Sequence, residues 1–551
     1  MGVEEAPSGG AFDPLREPTF RRIWSASVLS NFGQLFLGVG AAWEMTALSN
    51  SPTMVALVQS ALMAPLMFVT LPAGAIADMF DRRRIAISGL AFSAVSAAVL
   101  ATVAYLGWTT PGLLLLFCML IGAGVALYSP SWQASIPEQV SRENLPSAVA
   151  LGTISYNVAR SFGPALGGVI VLAAGAKAVF SLTSLLYLPL LFAFVLWQRR
   201  HVPSRLPPER LDRAIVGGAR YALHSPGIRT ALTRVLVFGL LTATASGLAP
   251  LVAKDLLHGD AATFGILLGS QGIGSVLGAV FVPRVREFLS TEGAVRLFVL
   301  GTGAALVGIG FSTSLIATCA CFFLIGACNI QTIAILNVIV QLSAPRWVTA
   351  RAVSLYSSAI TCGIGVGAWA WGEFANANGV SLAYIVSGIA AAFSTLLGLV
   401  LPLHEAVSTE DASVEMGNEP EVGMALTLRS GPIVVEIEYD VDPDHAREFY
   451  AAMMRLQRIR KRLGGFDWSL ARDIENPAIW TERYHCPTWG DYLRMRDRYG
   501  QADVEIQAEA NGFDRKSRRR ITRRLERPFG SVRYKAESLD PQQETVGFIT
   551  P

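Results

Sequence analysis

Runs of about 20 mostly apolar residues recur along the chain every 32 residues or so, and nothing else in the sequence narrows the possible folds so sharply. They begin near Phe20, Thr53, Ile85, Pro111, Ser147 and Ala176, then again near Thr230, Ala261, Ala294, Leu315, Val348 and Val380. Each is long enough to cross a bilayer as a helix. The expected fold is therefore an all-α membrane protein of about twelve transmembrane helices, six plus six. The longest break, Arg199 to Arg229, is arginine-rich, carries Pro207-Pro208, and has room for a short surface helix near Glu209 to Leu223.

Composition agrees and adds a division. Of 551 residues, 52% are apolar and only 16% charged, against about 25% charged in an ordinary soluble domain. A typical cytosolic enzyme and a disordered scaffold are both excluded. From His404 onward about a third of residues are charged, and before it about a tenth. A water-soluble appendage thus follows the membrane part. The net charge of +3 is too small to suggest nucleic acid as a partner. Cys118, Cys319, Cys321, Cys328, Cys362 and Cys486 have neither metal nor disulfide spacing and read as inert buried thiols, with no metal and no cofactor expected. Met1 to Gly10 is acidic and lacks the layout of a cleaved signal, so the first span is expected to stay in the mature protein.

Arginine and lysine set the expected orientation. One set of loops holds Arg82, Arg83, Arg84, Arg142, Arg199, Arg200, Arg205, Arg210, Arg213, Arg284, Arg286 and Arg346, whereas the opposite set offers little beyond Lys177 and Lys254. Positive residues stay on the cytoplasmic side, which places both termini and the appendage there.

The two sets of six overlay at one offset of about 204 residues. Gly74 falls on Gly278, Arg82 on Arg286, Arg142 on Arg346, Leu151 on Leu355, Gly163 on Gly367 and Gly168 on Gly372. Six spans per copy is an even number, so both copies enter the membrane in the same direction, as parallel repeats.

Three motifs lie on this frame. Gly74-Ala-Ile-Ala-Asp78-Met-Phe-Asp81-Arg82-Arg83-Arg84 follows the second span. It resembles the loop signature of the major facilitator superfamily, with Asp81 where glycine is usual and Met79 where a base is usual. The second copy, Gly278 to Arg286, has Val282 in place of the aspartate. The resemblance implies a latch of Gly74, Asp78, Arg82 and Arg83 that holds the cytoplasmic side shut, here on one side only. In the fifth span, Gly163-Pro164-Ala-Leu-Gly167-Gly168 resembles the antiporter signature of major facilitator exporters. Upstream stand Tyr128-Ser-Pro130-Ser-Trp132-Gln133-Ala-Ser-Ile-Pro137-Glu138, Leu145-Pro146, Asn157 and Arg160. Together these resemble the transmembrane secretion effector branch, which includes enterobactin-type and macrolide-type exporters. That resemblance covers most of Phe20 to Leu403. It implies proton-coupled export of a small amphipathic compound, a siderophore, drug or secondary metabolite, across a bacterial inner membrane.

Arg160 stands about 20 Å along its helix from the cytoplasmic end. A guanidinium at mid-membrane is costly and faces a cavity or a partner. Candidates for the cavity wall are Asn31, Gln34, Asn157, Arg160, Gln271, Asn329 and Asn337, each with interhelical hydrogen bonding as its alternative. Arg234, near the cytoplasmic end of its helix, reads as a snorkelling side chain. No carboxylate or histidine falls at mid-depth, and Glu44, near the outer end of the first span, is the one local candidate for proton coupling.

The domains read as a cytoplasmic N-terminus (1–19), a six-helix bundle (20–198), a cytoplasmic linker (199–229), a second bundle (230–403), a polar linker (404–430), a C-terminal module (431–536) and a tail. In the module, Pro432 to Val441 alternates like a strand and Pro443 to Leu463 is helical. Phe466 to Ile474 and Ala478 to His485 read as strands around Glu475-Asn476-Pro477, Thr488 to Asn511 as helix, and Ser531 to Tyr534 as a last strand. The order β-α-β-β-α-β is ferredoxin-like, α+β. Gly464-Gly465-Phe-Asp-Trp468 and Trp489-Gly-Asp-Tyr-Leu493 resemble a monooxygenase-like domain. Tyr492 to Tyr499 lacks that domain's usual histidines, which favours a dimerising or regulatory module over an enzyme. The basic run Arg515 to Arg527 is expected to face water or lipid headgroups. Two other functions stay open: an importer or facilitator of the same architecture, and a membrane-tethered enzyme acting through residues 431–536.

Overall fold

The computed structural model describes residues 12–79, 81–141, 144–198, 220–344, 349–403, 422–424, 426–499, 501–515 and 520–526, and leaves out the side chains of 70–80, of 280–287 and of scattered positions such as Asn157. The chain forms two compact units. The first comprises Met1–Ile215, Thr230–Val340 and Val353–Glu405, and the second Val216–Arg229, Gln341–Ala352 and Ala406–Pro551.

The first unit is helical. In order it contains α1 (Pro18–Leu48), α2 (Pro52–Met79), α3 (Arg82–Tyr105), α4 (Pro111–Ser135), α5 (Leu145–Leu196), α6 (Pro226–Thr242), α7 (Ala261–Phe288), α8 (Thr291–Phe311), α9 (Leu315–Ser343), α10 (Thr349–Asn378) and α11 (Val380–Phe393). Four of these begin at proline, whose missing N–H costs nothing at a first helical position. Side-chain caps also start helices: Asp81 Oδ1 accepts from Arg83 N at 2.9 Å, and the Thr110 and Ser290 hydroxyls accept from Leu113 N and Gly293 N. Asp81 therefore caps α3 where the loop signature has glycine. The 52-residue α5 breaks at Gly175, whose φ of 76° and ψ of 171° interrupt the helix between the Ser147 and Ala176 runs. Beyond Thr242, α6 fragments into Thr244–Gly247, Ala249–Leu251 and a π-helical turn, Val252–Leu256. Pro250, which cannot donate to an α-helical ladder, lies within that stretch.

Among the described residues, nine helices are long and apolar enough to cross a membrane. Their outward surface fits hydrocarbon: Phe92, Val95, Leu116, Phe192, Phe311 and Ile316 are all exposed. A surface so apolar would be an aggregation hazard in water.

The second unit is built on a four-stranded antiparallel sheet of β1 (Ile433–Asp440), β2 (Phe466–Arg472), β3 (Ile479–Cys486) and β4 (Arg520–Leu525), in spatial order β2-β3-β1-β4. Its helices are α12 (Ala446–Leu463), α13 (Trp489–Asp497) and α14 (Gln501–Gly512). Alternate residues Ile433, Val435, Ile437 and Tyr439 join Phe449, Ala452, Met453, Leu456, Ile459 and Leu463 of α12 in one core. The α12 residues recur at helical spacing and form one apolar stripe. Gly464 ends α12 in the left-handed region, at φ 116°. Two expectations change here. The Thr488 to Asn511 run is two helices, not one, and the fourth described strand is Arg520–Leu525, inside the basic run Arg515 to Arg527, expected to face water or headgroups but not to form a strand. At the sheet edge such a strand keeps its arginines wet: Arg520, Arg523 and Arg524 are exposed while β1 supplies the backbone pairing. Ser531 to Tyr534 lies outside the described residues.

Candidate functional site

Polar side chains collect along α1, α4 and α5. Asn31 Nδ2 donates to Ser155 Oγ at 3.1 Å, the Ser27 and Ser155 hydroxyls stand 3.4 Å apart, and Ser30 meets the Tyr128 hydroxyl at 3.4 Å. Trp24 Nε1 donates to the Leu151 carbonyl at 2.8 Å. One turn or so along α5 from this group, Arg160 is half-buried and interacts electrostatically with Tyr356 of α10. The Tyr356 hydroxyl is committed to the Ile333 carbonyl at 2.5 Å. Arg160 itself makes no hydrogen bond or ion pair with any other described residue. Gln34, Gln271, Asn329 and Asn337 are each half-buried on their helices, and the Asn157 side chain lies outside the description. Tyr356 escaped the sequence reading because that reading ranked only amides and charges. Glu44 is half-buried near the end of α1, within electrostatic reach of Lys177.

The glycines of the antiporter-like stretch have distinct neighbours. A Cβ on Gly163 would meet Leu35 at 3.0 Å and one on Gly167 would meet Phe36 and Val39 at 3.3 Å, both on α1. A Cβ on Gly168 would lie 2.4 Å from Gly265 Cα on α7, so only glycine permits that approach. Pro164 lies between, inside the helix.

The basic loop after α2 is tied into its own half. Arg82 Nη1 pairs with Glu138 Oε1 at 3.1 Å, joining two of the motifs read from sequence. Arg83 donates from Nε to the Phe194 carbonyl at 2.9 Å and from Nη2 to Val195 at 2.5 Å. These carbonyls end α5, where only Phe194 has a local donor, the Trp197 N–H at 3.3 Å, so a cation suits them. The Asp78 side chain and the surroundings of Gly74 lie outside the description. In the second half, Gly278 packs on α9, where a Cβ would lie 2.6 Å from the Ala327 carbonyl. Arg234 does not snorkel. It is buried and bidentate to Glu292, at 2.6 and 2.7 Å, and Arg296 and the Leu403 N–H also donate to that carboxylate. Glu292 is ten residues beyond Val282, which explains why the motif comparison missed it.

In the second unit the ionic centre is Glu482, with no exposed surface. Arg460 donates to it from Nε at 3.0 Å and Nη2 at 3.3 Å, Trp468 Nε1 at 3.0 Å and the Tyr439 hydroxyl at 3.2 Å. Arg460 also reaches the Tyr499 hydroxyl and lies 4.8 Å over the Tyr484 ring. Burial works against the Arg460 charge, but Glu482 outweighs it and holds the guanidinium above its ordinary pKa.

Long apolar helices with a lipid-facing exterior define a multi-pass membrane protein. Residues 9–528 match the model of one family, and the chain belongs to it: the transmembrane secretion effectors. A staphyloferrin A transporter of Staphylococcus aureus is 24% identical over 310 residues, 55% of this chain and 76% of the relative. An enterobactin exporter of Escherichia coli is 25% identical over 395 residues, 70% and 91% of the two chains. A multidrug efflux pump of Mycolicibacterium fortuitum is 23% identical over 387 residues, 68% and 94%. Among solved structures, a bacterial homologue of the human lysosomal transporter Spinster, inward-facing and unoccupied, shares the fold at a TM-score of 0.56 and 14% identity, covering 71% of this chain and 98% of that one.

Proposed function

We propose that the protein exports a small amphipathic compound with an anionic or acceptor-rich group by alternating access, and that Arg160 holds that group. The carrying observation is Arg160 itself, half-buried at mid-helix and without a protein acceptor among the described residues. An unpaired guanidinium in a low-dielectric setting favours an incoming anion. Twelve spans in two parallel repeats complete the reading. The nine apolar helices include one broken at Gly175, and α1 and the fragmented α6 add the rest. Reciprocal packing supports the repeat: Gly163 meets Leu35 of α1, and its counterpart Gly367 meets Leu240 of α6. The charge of the loops supports a reading with both termini on the cytoplasmic side of a bacterial inner membrane. Glu44 is the proposed proton-coupling carboxylate. The second unit has the strand order of a ferredoxin-like fold and is read as a non-catalytic module that pairs two copies of the chain, its ionic centre being closed by its own side chains.

The test compares Arg160→Lys and Arg160→Gln for abundance in the membrane and for efflux of one anionic and one neutral dye, with and without a protonophore. Both variants should accumulate. The Lys variant, which keeps charge but loses the planar fork, should retain partial efflux. The Gln variant should lose the anionic dye first. Undiminished efflux of the anionic dye by the Gln variant would remove Arg160 from the site, and efflux indifferent to the protonophore would remove the proton.

A further inference from the structure

The two halves of the helical unit meet closely near the arginine-poor ends of the helices. Trp43 of α1 stacks on Phe264 of α7, with centroids 5.8 Å apart and planes at 17°. Ser60 Oγ of α2 donates to the Gly365 carbonyl of α10 at 2.7 Å. A Cβ on Gly372 would lie 2.7 Å from Ala56 Cβ. One contact in this zone involves a charge. Lys254 Nζ, from the π-helical turn Val252–Leu256, donates to the Thr46 carbonyl at 2.6 Å.

Thr46 is 4% exposed and lies in the last turn of α1, which ends at Leu48. The last carbonyls of a helix have no partner within it and carry the negative end of its dipole. A buried carbonyl of this kind is costly to leave unmade, and a lysine ammonium is both a donor and a favourable charge for it. Arg83 does the same for the end of α5, but within one half. Lys254 does it across the halves, from the fragmented segment after α6. π-turns are uncommon and often mark functional sites. Broken backbone of this kind can also move without unwinding a whole helix.

We propose that Lys254 is the positioning residue of the outer closure, an ammonium clasp on the C-terminal end of α1 that holds the external side shut and must release for the cargo to leave. The proposal rests on the transport reading above, and its test separates the two. In a chain whose six native cysteines are replaced by Ser or Ala, Ser60→Cys puts a thiol under the closure and Gly259→Cys puts one in the loop before α7. Both are labelled in intact cells with a membrane-impermeant maleimide.

Lys254→Met and Lys254→Gln should label Ser60→Cys roughly five-fold faster than the parent, the ratio that a helix-end charge contact supports. Lys254→Arg should restore slow labelling. The Gly259→Cys thiol should react equally in all of them. If it reacts only after permeabilisation, the orientation fails instead, and the same comparison is made from the opposite face. Should Lys254→Met not accumulate, the contrast between Lys254→Gln and Lys254→Arg decides. Unchanged labelling of Ser60→Cys in the Gln variant, or equally fast labelling in the Arg variant, overturns the clasp.

Discussion

Glu482 shows how far one residue can depend on others distant in sequence. Its carboxylate has no contact with water, and Trp468, Tyr439 and Arg460 all donate to it. Replacing it strands the Arg460 charge, which is 2% exposed. Breaking one side of a buried pair costs about 3–5 kcal/mol. Glu482→Gln should therefore loosen the second unit, seen in the full chain as faster hydrogen exchange across residues 433–440, with the helices of the first unit unaffected. Exchange at the wild-type rate would show that the pair contributes little. Nearby, burial pushes the Cys486 thiol up to about 12. Its neutral form is the folded one, so this contribution to stability is complete below pH 9 and is lost as pH rises from 9 toward 12. At pH 8 the buried thiol is therefore overwhelmingly protonated. Iodoacetamide at that pH should leave Cys486 unmodified by mass spectrometry until denaturant is added, and rapid modification of the native chain would contradict the burial.

At the scale of elements, the α5–α7 contact shows what a single glycine decides. Gly168 faces Gly265 with room for no side chain. Gly168→Val should force the two helices apart at a point where the halves meet, and overpacking of this kind costs about 1–3 kcal/mol. The expected result is normal insertion with efflux reduced at least several-fold, whereas Gly112→Val, at a glycine with open space around it, should be silent. Equal efflux by the two variants would show that the approach has no role in transport. Arg83 and Asp81 act on elements in the same way. One closes the end of α5 and the other starts α3, so the loop signature here has a local structural use besides any latch.

For the whole molecule, orientation is the property on which the function turns. Loops rich in arginine are expected in the cytoplasm. Single cysteines at Arg84 and Gly259 should therefore react oppositely with an impermeant reagent: the second in intact cells, the first only after permeabilisation. The reverse pattern would invert the topology and with it the direction of transport.

The nine long apolar helices among the described residues were legible in the sequence because a helix in hydrocarbon needs only length and apolarity, both local properties. The strand at Ile433–Asp440 and the helix at Ala446–Leu463 were legible for the same reason, since alternation and helical spacing are written in consecutive residues. Arg520–Leu525 was not, because an edge strand takes its backbone partners from β1 and leaves its side chains as polar as a loop's. Nor were the ionic contacts. Arg234 and Glu292 are 58 residues apart, and Lys254 and Thr46 are 208 apart. A buried charge is tolerated only where the fold delivers its partner. Sequence showed which residues carried charge into the apolar stretches, and only the packing of the helices decided that Arg234 is paired, that Lys254 caps α1, and that Arg160 meets no acceptor among the described residues.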